Sequence, residues 1–371
     1  MQRELFIGVM SGTSLDGIDA VLVSFDESSH STMLLAWREY EFPDQLLTEL
    51  RTVVEQPDKA EPGQLDALDH ELGHLYAKVI NDLLAETGTK ANEIAAIGCH
   101  GQTVDHQPNA NRPFSLQLGD GAIIAAETGI TTVNDFRSAD IALGGQGAPL
   151  APAFHAWAFK SKDPVAIVNI GGIANITVLT ADDPVLGYDT GPGNTLLDLW
   201  SRQERHIDFD ENGQWGATGQ CDSKLLKILR GDPYLAQTPP KSTGRELFNL
   251  HWLNNRLAEY GHGIAAEDVQ ATLTEFTAAT IADAVQNHGS RHVWVCGGGA
   301  KNSFLMSRIA ALLENVPVQS TDAAGIPADW VEAIAFAWLA SARIAEIPAG
   351  MPSVTGATAA ALLGKIHTPA T

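Results

Sequence analysis

Apolar residues along the chain gather in short dense runs punctuated by glycine. The clearest case is GVMSGTSLDGIDAVLVSF, Gly8 to Phe25, where a Gly/Ser/Thr/Asp turn separates two apolar runs. After the turn, Ile18, Ala20, Val21, Leu22, Val23 and Phe25 are rich in β-branched and aromatic residues and show no helical period, which predicts strand, turn, strand. The pattern returns about 160 residues later, one domain length on, in AIVNIGGIANITVLT, Ala166 to Thr180, with Gly171 and Gly172 at the turn. A third stretch, HVWVCGGGAKNSFLMSRIAALLE, His292 to Glu314, changes period across Gly297, Gly298 and Gly299. Val293 and Val295 lie in a short strand-like run, whereas Leu305, Met306, Ile309, Leu312 and Leu313 follow helical spacing with Asn302 or Ser303 as N-cap. PADWVEAIAFAWLA, Pro327 to Ala340, reads as an Ala-rich amphipathic helix capped by Asp329.

Two strand-turn-strand units heading two halves of a 371-residue chain suggest two similar domains facing across a cleft, drawn at 1–150 and 151–371 with the C-terminal segment able to pack back on the first, beside the alternative that two hairpins merely coincide. The turns suggest what the cleft holds. Gly12 and Gly17 open the backbone to a ligand, and Thr13 and Ser14 set hydroxyls beside exposed N–H groups, an arrangement suited to phosphate. The familiar phosphate loop ends in Gly-Lys-Ser/Thr and opens a helix; this turn has no Lys and leads into a strand. A concave nest of N–H groups on a hairpin remains open as an anion site, beside the alternative of an ordinary Gly/Asp hairpin. At the triple-glycine turn a flat ring can lie against bare backbone, and Asn302 can cap the helix or touch that ligand.

Composition narrows the partners. A net charge of 23 − 45 = −22 argues against nucleic-acid and anionic-membrane surfaces, which need basic patches. No apolar run is long enough to span a membrane, and the start MQRELFIGVM has no long apolar segment with a cleavage site, so the expectation is a protein that is not secreted. Three cysteines, Cys99, Cys221 and Cys296, are too scattered for a metal knuckle and too few for a disulfide framework, which fits a reducing cytoplasm.

Several polar clusters carry candidate chemistry. In GYDTGPGNTLLDLW, Asp189 follows a short apolar run and precedes a Gly-Pro-Gly turn and a helix bearing Leu196, Leu197 and Trp200. It reads either as a carboxylate presented to a substrate or as a turn-forming residue or N-cap. GCHGQTVDHQP offers His100, Gln102 and Thr103 at the end of an apolar run, where α/β folds put ligand contacts, although a lone His there is more often a hydrogen-bonded structural residue. NDFRSADIALGGQGAPL offers Asp135, Arg137 and Asp140, with Arg137 free to bind an anion or to bridge to Asp140. Glu332 falls in the first turn of its helix, where the dipole favours an acid. KSTGRELFN, Lys241 to Asn249, reads as a helix entry flanked by the cations Lys241 and Arg245.

Taken together, MSGTSLDGIDA (10–20), HGQT (100–103), GGQGAPL (144–150), NIGGIAN (169–175), DTGPGN (189–194) and CGGGAKN (296–302) resemble the anhydro-N-acetylmuramic acid kinase family. That family belongs to the sugar kinases related to actin, hexokinase and the Hsp70 ATPase. The matches run from residue 5 to about residue 360, and the MSGTSLDG segment is the most specific.

The resemblance implies two actin-like, ribonuclease H-like α/β domains with ATP between them. It assigns Gly12, Thr13, Ser14, Leu15, Asp16, Gly17, Ile18 and Asp19 to the nucleotide phosphates, with Gly171 and Gly172 as the second clamp. Gly297, Gly298, Gly299 and Asn302 are assigned to adenosine, and His100, Gln102, Asp135, Arg137 and Glu332 to the sugar, Arg137 to its lactyl carboxylate. The implied reaction joins hydrolysis of the sugar's internal ether to phosphorylation of O6, with Asp189 as base for the attacking water. In the wider superfamily an aspartate usually stands on the first strand before the glycine turn and helps to hold magnesium. Here that position is Met10, and its counterpart is Asn169. Magnesium is therefore expected on phosphates and water, with no protein ligand assigned. The family's tendency to homodimers makes a second copy the expected macromolecular partner.

Overall fold

The computed structural model describes residues 4–239, 241–244 and 246–369. Arg245, one of the two cations flanking the 241–249 stretch, lies outside the described residues.

The first apolar run forms strand β1 (Leu5–Met10), and the second forms β2 (Ile18–Asp26), paired antiparallel. Phe6, Ile7 and Val9 of β1 are buried together with Gly8 between them, as expected of a central strand covered on both faces. Then come β3 (Ser31–Tyr40), β4 (Ile94–Cys99), β5 (Gln102–Gln107), β6 (Phe114–Leu118) and β7 (Thr132–Asn134). The second hairpin is β8 (Val165–Ile170) and β9 (Ile173–Leu179), again antiparallel, followed by β10 (Leu186–Pro192), β11 (His292–Cys296) and β12 (Val318–Ser320). A last short strand, β13 (Lys365–His367), pairs antiparallel with β7.

The strand orders show the duplication. One sheet runs β13-β7-β4-β1-β2-β3, the other β10-β9-β8-β11-β12. Leaving aside the added β13, each consists of three antiparallel strands joined through the first of them to two parallel ones, the order 3-2-1-4-5 in both. The parallel strands pack into separate cores, one around Ile7, Leu22, Leu72 and Tyr76, the other around Val168, Ile176, Ile281 and Val295. A third cluster, around Trp200, Phe248, Trp252 and Phe276, belongs to the helices inserted between β10 and β11. Among the described residues no helix is long and apolar enough to cross a membrane.

The chain divides into two compact units, of which the second is Phe159–Asp329. The chain up to Ala158 joins the stretch from Trp330 onward in the first unit, so residues 330–371 leave the 151–371 span suggested by the sequence. The reason lies in two glycines. Gly8 and Gly98 are direct partners across β1 and β4, and the helix Val331–Ile344 lies on them so closely that a methyl on Gly8 would overlap the Ala333 carbonyl and one on Gly98 the Phe336 carbonyl. The helix itself starts one residue later than its sequence suggests: Trp330 is the capping position, and the Asp329 carboxylate instead meets Lys301 Nζ at 2.9 Å. We expect Gly98→Ala to destabilise the protein by about 3 kcal/mol, because backbone cannot yield as a flexible side chain would. A fall in the urea midpoint at unchanged slope would show it.

Candidate active site

In the second unit, the candidate groups gather at the C-terminal ends of β8 and β11. The turn Gly171–Gly172 is braced by the Gly-Pro-Gly-Asn stretch: Asn194 N–H donates to the Gly171 carbonyl at 2.8 Å, and Gly193 and Thr195 N–H to that of Gly172. Asn194 Nδ2 also reaches the Ile170 carbonyl at 3.2 Å. NIGGIAN and DTGPGN, separate motifs in the sequence, are thus one structure.

The triple glycine after β11 splits into two roles. Gly297 has φ 77°, and both it and Gly299 press on the end of β8, where a methyl on Gly299 would strike the Ile170 side chain. Their lack of a side chain is required by packing. Gly298 is exposed, with only the Asn194 amide near it at 3.8 Å from an added methyl. Its backbone is the most exposed of the three, and that of Gly297 beside it is half-buried. Asn302 uses its side-chain oxygen to cap the helix Ser303–Leu313, accepting from Leu305 N–H at 2.9 Å, which leaves its amide for any other contact.

Asp189 lies within β10 itself, not on a turn, and caps no helix. Its register partner on β9 is Asn175, whose partner on β8 is Asn169, and directly paired residues share a sheet face. A row of three half-buried polar side chains therefore crosses the sheet. Neither asparagine side chain has a hydrogen-bond partner among the described residues; Asp189 Oδ2 accepts from Thr243 N–H at 3.0 Å. Two further contacts fix its backbone: its N–H donates to the Lys241 carbonyl at 3.3 Å, and Tyr234 Oη donates to its carbonyl at 2.7 Å. Burial pushes the Asp189 carboxyl up to about 6, with Glu246 adding to the rise and Thr243 N–H and Lys241 opposing it. Such a carboxylate is ionised at neutral pH yet basic enough to take a proton.

In the first unit, the turn between β1 and β2 is closed by Leu15 N–H to the Gly12 carbonyl at 3.1 Å. Leu15 and Ile18 send their side chains into the core, so only their backbone is available to a ligand. Leu15 has φ 59°, a conformation that costs a branched residue on the order of 1–2 kcal/mol and that burial of its side chain offsets. The N–H groups of Thr13, Ser14 and Asp16 have no partner among the described residues, and Thr13 and Asp16 are exposed. Gln102 is buried and holds the turn from behind, its amide donating to the Gly12 carbonyl at 3.2 Å.

Beside that turn, Arg137 donates to the Gly147 carbonyl at 2.7 Å and to His100 Nε2 at 2.8 Å. Accepting there, His100 must carry its proton on Nδ1. Burial, then the Arg137 charge, lower its pKa to about 3, so it stays neutral. Phe336 packs on the imidazole at 4.6 Å between centroids. Asp140 does not bridge to Arg137; it is buried and accepts from Gly147 N–H and the Thr355 hydroxyl. Asp135 has φ 49° and accepts from the Ser138 N–H and hydroxyl, ending β7 and starting the next short helix. Arg137 Nε and Gln102 Oε1 are buried without partners among the described residues, positions that an ordered water or a ligand can complete, whereas the His100 ring also lies against the Gly101 and Ser11 backbone. Glu332 keeps solvent access although protein surrounds it; desolvation holds its carboxyl above the ordinary value, and the Arg137 charge opposes the rise.

Sequence reasoning missed Asn175, Asn194, Tyr234 and Thr243. Asn175 and Asn194 stand inside quoted motifs, and aligning the two hairpin strands would have paired Asn175 with Asn169. Nothing local marks Tyr234, and Thr243 stands in the 241–249 stretch read only as a helix entry; they reach Asp189 from about 45 and 54 residues away.

Two units of one 3-2-1-4-5 topology, each entered through a glycine-turned hairpin, define an α/β protein of the actin-like ATPase superfamily. Residues 4–369 match the family model described as Anhydro-N-acetylmuramic acid kinase. A protein of that name from Vibrio cholerae is 49% identical over 373 residues, 99% of each chain, and one from Pasteurella multocida is 47% identical over 98% of this chain and 96% of its own. The chain belongs to the anhydro-N-acetylmuramic acid kinase family and is a kinase. A solved activator of 2-hydroxyisocaproyl-CoA dehydratase from Clostridium difficile, with bound ADPNP, aligns over 92% of this chain and 96% of its own at 13% identity and TM-score 0.47, too remote to add to the strand order.

Proposed function

We propose that the enzyme opens the 1,6-anhydro ring of 1,6-anhydro-N-acetylmuramic acid with water and transfers the γ-phosphoryl group of ATP to O6, giving N-acetylmuramic acid 6-phosphate and ADP. Water attacks C1 and gives its proton to Asp189; the C1–O6 bond breaks and O6 takes the phosphoryl group. An inverting glycosidase needs a second carboxylic acid to protonate the leaving oxygen. Here the phosphoryl group caps it, so one base suffices. The observation that carries this reading is the half-buried Asp189 carboxylate, held at one oxygen by Thr243 N–H with the other without a partner among the described residues, and raised to about 6.

The first-unit turn and the Gly171–Gly172 turn bind the phosphates, Gly298 lies under adenosine, and the Arg137–His100 pair takes the lactyl carboxylate. Magnesium, when bound, would supply charge neutralisation for the transferred group. The phosphates and water would be its main ligands, and the Asn169 amide oxygen, a hard donor without a partner among the described residues, would fit as a supplementary one. The role is recycling of cell-wall sugar in the cytoplasm of a bacterium, and the enzyme works as a homodimer, which light scattering tests.

A coupled ADP-release assay with ATP and magnesium, comparing the anhydro sugar with ring-opened N-acetylmuramic acid, tests the reaction. A product heavier than the anhydro sugar by one phosphate and one water supports it. Phosphorylation of the open sugar only removes Asp189 as water-activating base, and sugar-independent ADP release points to an ATPase acting on a protein partner.

The glycine roles separate in a second experiment. Gly298→Ala is expected to raise KM for ATP by about tenfold, a methyl between ring and backbone, with the melting temperature unchanged. Gly299→Ala should lower the melting temperature instead.

A further inference from the structure

Behind Asp189 lies a cavity that the reaction leaves unused. Tyr188 and Thr190, on either side of Asp189 in β10, form one wall of a solvent-open space of about 360 Å³, flanked by the helix Ala266–Asn287 and the segment after Arg230. Asp189 is not part of its lining. The volume is in the range of small-molecule sites.

The lining has an unusual charge for this chain. Lys241 and Arg230 face the cavity with one acid in the lining, Asp283, which pairs with Arg230 at 2.6 Å; the Asp189 charge also acts on Lys241 from outside the lining. In a chain of net charge −22, the lining itself holds one more cation than acid. Lys241 Nζ makes two long bonds, to the Tyr234 carbonyl at 3.4 Å and the Leu235 carbonyl at 3.2 Å, and stands 4.7 Å from the Tyr234 ring centroid, with its third N–H not hydrogen-bonded among the described residues. The side-chain amides of Gln237 and Asn287 are exposed and have no partner among the described residues. Leu235 and Pro239 supply an apolar floor.

We propose that this cavity is a second ligand site, for a monosaccharide-sized molecule bearing one anionic group, a sugar phosphate by class. The cation meets the phosphate, the two amides meet hydroxyls, and the apolar floor takes the ring face. Given the reading of Asp189 as base, the site also has a route to catalysis. The Lys241 carbonyl holds Asp189 N–H, and Thr243, two residues on, holds its carboxylate. A ligand drawing on the Lys241 ammonium shifts the segment that positions the base, and turnover changes with occupancy.

Calorimetric titration of the full chain with N-acetylglucosamine 6-phosphate, N-acetylglucosamine and inorganic phosphate tests the site. We expect the sugar phosphate to bind best, and the Gln237→Ala/Asn287→Ala variant to weaken it by roughly tenfold or more, from two lost hydrogen bonds. Arg137→Met, in the other unit, should leave this binding unchanged. Absence of binding to the wild type, equal binding to the double variant, or loss in Arg137→Met with the double variant unaffected would each overturn the site. Inorganic phosphate binding as tightly as the sugar phosphate would overturn the sugar class. Binding lost in the double variant while the wild type shows no anhydrosugar-dependent ADP release upholds the site and removes the role of Asp189. A kcat at saturating anhydro sugar that moves with the sugar phosphate in the wild type and not in the double variant supports the coupling; an unmoved kcat in both overturns it.

Discussion

Asp189→Asn should lower turnover by about two to four orders of magnitude, the usual contribution of a positioned general base, with ATP binding retained. The same substitution should stabilise the fold. The Asp189 carboxyl is raised from 3.8 to about 6 in the folded chain, so folding favours its protonated form. That contribution is complete below the unfolded value and is lost as pH rises through the folded one, leaving an ionised carboxylate that destabilises the native state at neutral pH. Roughly two pKa units correspond to at most about 3 kcal/mol. Asparagine resembles the neutral form at every pH and can still accept from Thr243 N–H. The variant should therefore be more stable than the wild type at pH 8 and equal to it near pH 4. Wild-type kcat should fall as pH drops below about 6, where the base is protonated. Denaturant titrations at the two pH values, beside the ADP-release assay, separate this outcome from simple damage. A variant that is both inactive and less stable at pH 8 would mean that Asp189 serves the fold.

The legible part of the molecule was what short-range pattern specifies. The β-branched runs around Gly12–Gly17 and Gly171–Gly172 became the two hairpins, and the change of period after Cys296 became strand, turn and helix with Asn302 as the cap. What stayed hidden depends on contacts distant in sequence. The helix Val331–Ile344 joins the first sheet because Gly8 and Gly98 clear a track for its backbone, and neither glycine stands near the helix in the chain. A triple glycine shows no sign of which members press on Ile170, so the packing role of Gly297 and Gly299 is invisible beside the adenosine contact assigned to all three. The row Asp189–Asn175–Asn169 exists only through strand register, and register is fixed by pairing three strands at once. Arg137 was a candidate with two equal readings, and the fold separated them by giving Asp140 to Gly147 and Thr355.

Arg137 carries the second large effect. Arg137→Met should raise KM for the anhydro sugar by about a hundredfold, the scale of one lost charge-assisted contact, and leave KM for ATP within a few-fold. Its guanidinium is fixed at two points, the Gly147 carbonyl and His100 Nε2, with Nε buried and unpartnered. Burial lowers its pKa to about 10, which still leaves it charged at neutral pH, and Glu332 opposes the fall. A planar cation held in this way is ready for a carboxylate without further ordering. Arg137→Lys keeps the charge and loses the fork, so it should fall between wild type and Met. The substitution also strips His100 of its donor, which by itself loosens the pocket. An anhydrosugar without the lactyl group separates the two causes. If Arg137 recognises the carboxylate, Arg137→Met leaves use of that neutral sugar unchanged; if both sugars suffer equally, Arg137 acts by holding His100 and the Gly147 turn in place, and the carboxylate is bound elsewhere.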